Sequence, residues 1–151
     1  ILPIISQFYG IIVKMFFNDK EKQAYYIIKE ILERNGKIIT DVRCNINSSN
    51  YFDVSIMYPI IRLKLRGKKD YIVIDKYSYD SYDFSYFLQE QCTSNDNGKC
   101  RLILDDINDV EKLEKYILDQ YKSALEENKT YIENIKIGQT NYIKFLRENY
   151  Q

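Results

Sequence analysis

From Ile61 to Arg66, apolar and cationic side chains alternate without a break, Ile61, Leu63 and Leu65 against Arg62, Lys64 and Arg66. Gly67-Lys68 then turns the chain toward Tyr71-Ile-Val-Ile74. Period-2 alternation about a glycine turn predicts a β-hairpin, because successive strand residues face opposite sides. A two-residue loop pairs Arg66 with Lys69, Lys64 with Tyr71 and Arg62 with Val73. One face then carries Ile61, Leu63, Leu65, Ile72 and Ile74, and the other Arg62, Lys64, Arg66, Lys69 and Tyr71. So apolar a face needs a core to cover it, while the cationic face is free to meet an anion or water.

The flanking sequence extends this into a sheet. Asp19 to Asn35 reads as an amphipathic helix with Ala24, Ile27, Ile28, Ile31 and Leu32 on one side and Gly36 as its stop. Residues 37–44 read as a strand, Asn45 to Asn50 as a turn and Tyr51 to Met57 as the return strand, with Pro59 marking a bulge or an edge. The acidic, aromatic segment Tyr77 to Phe87 opens a short helix running to about Gln91, and Arg101 to Leu104 is one more strand. Asp106 or Asn108 caps the longest helix, whose stripe Ile107, Val110, Leu113, Ile117, Tyr121 and Ala124 ends near Glu127. Tyr131 to Ile137 reads as extended and Thr140 as the cap of a last helix. Before these elements, the apolar residues 1–17 read as two buried strands broken near Gly10, too short and too interrupted to span a bilayer. The reading is one domain over residues 1–151. It is an α+β fold, an antiparallel sheet of about five to six strands with helices packed on one face.

Composition narrows the chemistry. The 151 residues contain 22 Lys and Arg against 22 Asp and Glu, and no histidine. Without imidazole, this chain supplies no Ser-His or Cys-His pair, no histidine metal ligand and no histidine pH switch. Neutrality hides an asymmetry: residues 1–76 hold 13 cations against 8 carboxylates, residues 77–151 hold 9 against 14. Three cysteines are too few for a disulfide scaffold, so reduced thiols and a cytoplasmic location are expected, although Cys92 and Cys100 bracket a loop they could close.

Two segments resemble known families. Pro3-Ile-Ile-Ser-Gln-Phe-Tyr-Gly-Ile-Ile-Val-Lys-Met-Phe-Phe-Asn-Asp19 resembles the opening of a small bacterial domain family of unknown function. That family continues into a His-rich motif that this chain lacks. The resemblance implies a bacterial origin and a pair of strands, and no activity. Residues 97–121, from Asn97-Gly-Lys-Cys-Arg101 to Tyr121, resemble the closing strand and helix of a family described as predicted transport proteins. That resemblance implies a non-catalytic accessory module.

Three functional readings follow from the residues. Arg62, Lys64, Arg66 and Lys69 with Tyr71 form a candidate nucleic-acid face, cations for phosphates and a ring for stacking. Tyr77, Tyr79, Tyr82 and Tyr86, mixed with acids, form a candidate protein-interaction surface of the kind an inhibitor or immunity protein presents. Asp53 and Asp75 are the carboxylates a Mg²⁺-dependent, restriction-like nuclease would need. The lysine such a site requires two residues on is replaced by Tyr77, and Lys76 faces the wrong way. The expectation is a non-catalytic binding module without cofactor or membrane partner, acting on nucleic acid or on a nucleic-acid-processing protein, its oligomeric state open.

Overall fold

The computed structural model describes residues 16–150; of the strands expected over residues 1–17, residues 1–15 fall outside that range, and Phe16 and Phe17 are not strand. Helix α1 spans Asp19–Arg34 and opens on a reciprocal cap. The Asn18 side chain accepts the Glu21 N–H at 2.8 Å, and the Glu21 carboxylate accepts the Asn18 N–H at 2.8 Å. Its buried face is Ala24, Ile27, Ile28, Ile31 and Leu32, as the periodicity predicts, and Gly36 follows at φ +73°.

Six antiparallel strands follow: β1 (Arg43–Ile46), β2 (Phe52–Ile56), β3 (Tyr58–Lys64), β4 (Asp70–Ile74), β5 (Gln89–Gln91) and β6 (Cys100–Leu104). Their order is β1-β2-β3-β4-β6-β5, so the first four form a meander and β6 inserts between β4 and β5. The fold is α+β, with an open antiparallel sheet and two helices. The register puts Arg62 opposite Val73 and Lys64 opposite Tyr71, as the alternation requires. The tight turn is corrected: the strands end at Lys64 and resume at Asp70, leaving five residues between them. Pro59 lies within β3 opposite Ser55, where the β2–β3 register shifts at Val54/Ser55, so the bulge reading holds.

Register sorts the sheet into two faces. Ile46, Phe52, Leu63, Ile72 and Leu102 line up across it and share the main core with α1. Asn45, Asp53, Arg62, Val73, Arg101 and Glu90 make the parallel row on the outer face.

Three expected elements are revised. Residues 37–42 are irregular, and the strand begins only at Arg43; the Ile38 carbonyl is taken by the Tyr121 hydroxyl at 2.8 Å instead of by a neighbouring strand. The segment after Tyr77 makes one 3₁₀ turn, Tyr79–Ser81, and Gln89–Gln91 is an edge strand, not a helix end. It pairs with β6, whose backbone groups would otherwise lack a ladder on that side. Finally, a 3₁₀ segment Ile107–Leu113, capped by Asp106, leads into α2, Glu114–Asn149, without the break expected after Glu127. Thr130 and Thr140 do not cap; their hydroxyls donate back to the carbonyls of Glu126 and Lys136 inside the continuous helix.

Candidate functional site

The outer sheet face brings Arg62, Lys64 and Tyr71 together, as the hairpin alternation requires. Arg62 forks onto Asp53, its cross-strand neighbour, at 2.7 and 2.8 Å. The Arg62 guanidinium and the Lys64 ammonium both lie over the Tyr51 ring, at 4.8 and 4.7 Å from its centroid. Lys64 has no carboxylate partner among the described residues. Arg66 and Lys69 leave this face. Arg66 reaches back to Glu21 at the start of α1, donating at 2.8 and 2.9 Å, and Lys69 pairs with Glu90. Glu21 is wholly buried, and a buried carboxylate without a cation is costly. That requirement pulls Arg66 out of the stripe.

Tyr71 is not a free ring. It is buried, stacked under Arg101 at 4.3 Å, and its hydroxyl donates to Asp96 at 3.0 Å. Asp96 also accepts from the Tyr51 hydroxyl, from Arg101 at 2.7 and 3.3 Å and from the Thr93 N–H at 2.8 Å. Burial pushes this carboxyl up, but the Arg101, Tyr51, Thr93 and Tyr71 hydrogen bonds outweigh it and hold the group well below the usual carboxylate range. Asp96 thereby pins the loop between β5 and β6 onto the outer face. Gly98 lets that loop close, since a Cβ there would stand 2.2 Å from Val73 Cγ1 and 2.8 Å from the Ile74 carbonyl. The sequence reading missed this network; polar loop residues gave it no signal.

Cys92 packs with Tyr51, Tyr71 and Val73 on the outer face, while Cys100 belongs to the main core; neither is bridged. Burial, with Asp96 nearby, pushes the Cys92 thiol up to about 11.

The nuclease carboxylates sit apart in function. Asp53 is held by Arg62. Asp75 accepts from the Tyr77 N–H at 3.1 Å and the Ser78 hydroxyl at 2.9 Å, while its own N–H donates to Tyr116 Oη. It lines a cleft of about 380 Å³ between β3, this turn and α2, with Arg62, Ser78, Tyr116 and Gln120. Among the described residues, no three His, Cys, Asp or Glu side chains converge to hold a metal.

The tyrosine segment divides. Tyr79 and Tyr82 are half-buried, with hydroxyls bound to Gln89 and Asp119, and Tyr82 stacks on the buried Phe84. Tyr77 and Tyr86 are exposed, the second beneath Lys112 at 4.3 Å.

Most exposed apolar surface lies elsewhere. Of sixteen exposed large apolar side chains among the described residues, nine lie from Leu125 onward. Helix α2 buries Tyr116, Ile117, Tyr121 and Ala124 in the core, then runs past the sheet to Asn149 as an arm. Ile135 stands 18 residues after Ile117, five full turns at 3.6 residues per turn, so the arm's apolar stripe continues the core-facing side of the helix.

No family model, curated protein or solved structure matches this chain. No helix among the described residues is long and apolar enough to cross a membrane.

Proposed function

We propose that the protein is a non-catalytic binding module whose principal contact is with protein, made through the arm of α2. The observation that carries this reading is the uncovered stripe Tyr131, Ile132, Ile135, Tyr142, Phe145 and Leu146, of which all but Leu146 are exposed. Helices in water draw most of their stability from packing an apolar face, and an exposed stripe of this kind marks an interaction surface. The exposed Tyr77 and Tyr86 supplement it with rings on the body. Sedimentation velocity of the full chain and of an Ile132→Lys/Ile135→Lys/Tyr142→Lys variant in solution tests the reading. Loss in the variant of an association the wild type makes supports it; identical association and size in both overturn it.

A second reading keeps nucleic acid as the ligand. Lys64 above Tyr51 and the exposed Lys68 are cations without carboxylate partners among the described residues, and they lie on one hairpin. Fluorescence anisotropy with short DNA and RNA, titrated against salt, tests it. Lys64→Glu/Lys68→Glu is expected to weaken binding, each lost phosphate contact flattening the salt slope by roughly 0.7–0.9. Absence of binding at low salt overturns it.

A further inference from the structure

We propose that Asn97 is a site of spontaneous modification, losing its side-chain amide through a cyclic imide with the Gly98 nitrogen, and that this conversion frees the β5–β6 loop from the sheet. Asparagine is a thermolabile residue, and a following glycine, with no Cβ, leaves its own backbone nitrogen unshielded. The chain carries the triplet Asn-Gly-Lys twice, at 35–37 and at 97–99. Both asparagines are exposed, so local sequence and solvent access are matched. Hydrogen bonding is what separates them.

At the end of α1 the reacting atoms are held. Asn35 Nδ2, the atom that must leave, donates to the Ile31 carbonyl at 2.7 Å and to Glu114 Oε1 at 2.8 Å. The Gly36 N–H, whose nitrogen must attack, donates to the Glu33 carbonyl at 3.0 Å, and Gly36 takes the positive φ of that turn, +73°. In the loop the roles reverse. Asn97 itself takes φ +55°, a conformation glycine adopts more readily than a residue with a side chain. Neither the Asn97 side chain nor the Gly98 N–H makes a hydrogen bond among the described residues. Asn97 also lines the cleft beside Arg62 and Asp75, where water reaches it.

The Gly98 nitrogen bonds to Asn97 Cγ, the Cγ–Nδ2 bond breaks, and Nδ2 leaves as ammonia with the Gly98 proton. Water then opens the imide ring. Breaking the new Cγ–N bond gives aspartate. Breaking the original bond from the main-chain carbonyl to nitrogen gives isoaspartate, whose backbone runs through Cγ and is one carbon longer. Nothing is oxidised or reduced; one water enters and one ammonia departs. The loop has no slack for that carbon. Asp96 anchors one side through Tyr51, Tyr71 and Arg101, and the Lys99 N–H anchors the other on the Ile74 carbonyl at 2.7 Å. Between them Gly98 lies so close to Val73 and Ile74 that even a Cβ would clash. The lengthened backbone can keep one anchor but not both.

Peptide mapping by mass spectrometry of the full chain, kept folded in mildly alkaline buffer, tests the site. Asn97 is expected to convert about tenfold or more faster than Asn35, because Asn35 and Gly36 must first give up three hydrogen bonds. In denaturant the two rates are expected to converge; a difference that persists there belongs to local sequence and overturns the proposal. In Asn97→Gly, which suits the positive φ, the loop peptide is expected to keep its mass. The isoaspartate form, resolved by chromatography, is expected to melt about 5 °C or more below the fresh chain, while Asn97→Gly aged alongside melts as it did at the start. Comparable rates at Asn35 and Asn97 in the folded chain overturn the proposal. So does an Asn97 that stays intact in the folded chain while both convert in denaturant, or an isoaspartate form whose melting is unchanged.

Discussion

Asp96 shows how one side chain organises a surface. It is fully buried yet accepts from two tyrosine hydroxyls, one guanidinium and one backbone N–H, so its charge is matched on every side. Asp96→Asn is expected to destabilise the fold by about 3 kcal/mol, because Arg101 keeps its charge over Tyr71 and loses its counterpart; denaturant unfolding measures it. The pH dependence has a definite sign. The folded carboxyl titrates below its unfolded value near pH ~4, so its stabilisation is complete above that pH and is lost progressively as pH falls beneath it. Acid titration of stability is expected to be shallower in Asp96→Asn than in the wild type, and equal slopes would reject the assignment. Arg62, Lys64 and Tyr71 were legible as one face from alternation alone. That Arg66 and Lys69 depart from it was not, because Glu21 and Glu90, which claim them, are distant in sequence.

Among elements, those with strong periodicity were legible and those set by long-range pairing were not. Helix α1 and strands β2, β3, β4 and β6 follow from apolar spacing. Strand β5 exists because β6 offers a free edge, a fact no local pattern carries. The helix break expected near Glu127 came from reading Tyr131 to Ile137 as extended and Thr140 as a cap, whereas the helix is continuous and the Thr140 hydroxyl satisfies itself on the preceding turn. The β5–β6 loop depends on Gly98. Gly98→Ala is expected to cost about 2–4 kcal/mol, since the added carbon meets a backbone carbonyl that cannot turn aside. Thermal unfolding checks this, and an unchanged midpoint would mean the loop stands off the sheet. At the start of α1, Glu21→Gln is expected to keep the cap hydrogen bond and lose the charge pairing to Arg66, costing about 1–2 kcal/mol by the same measurement.

At the scale of the whole molecule, the body and the arm are energetically separate. The core draws on α2 only as far as Ala124, so a chain ending at Glu127 is expected to melt within about 5 °C of the full one. A larger loss, read by calorimetry, would place part of the core beyond Ala124. The cysteines carry a final consequence of strand parity. Cys92 and Cys100 bracket a short loop, yet one thiol belongs to the outer cluster and the other to the main core, with the sheet between them. The nearer thiol is also held protonated at neutral pH. Proximity along the chain therefore does not become a bridge in the fold, and both thiols stand free in the native state.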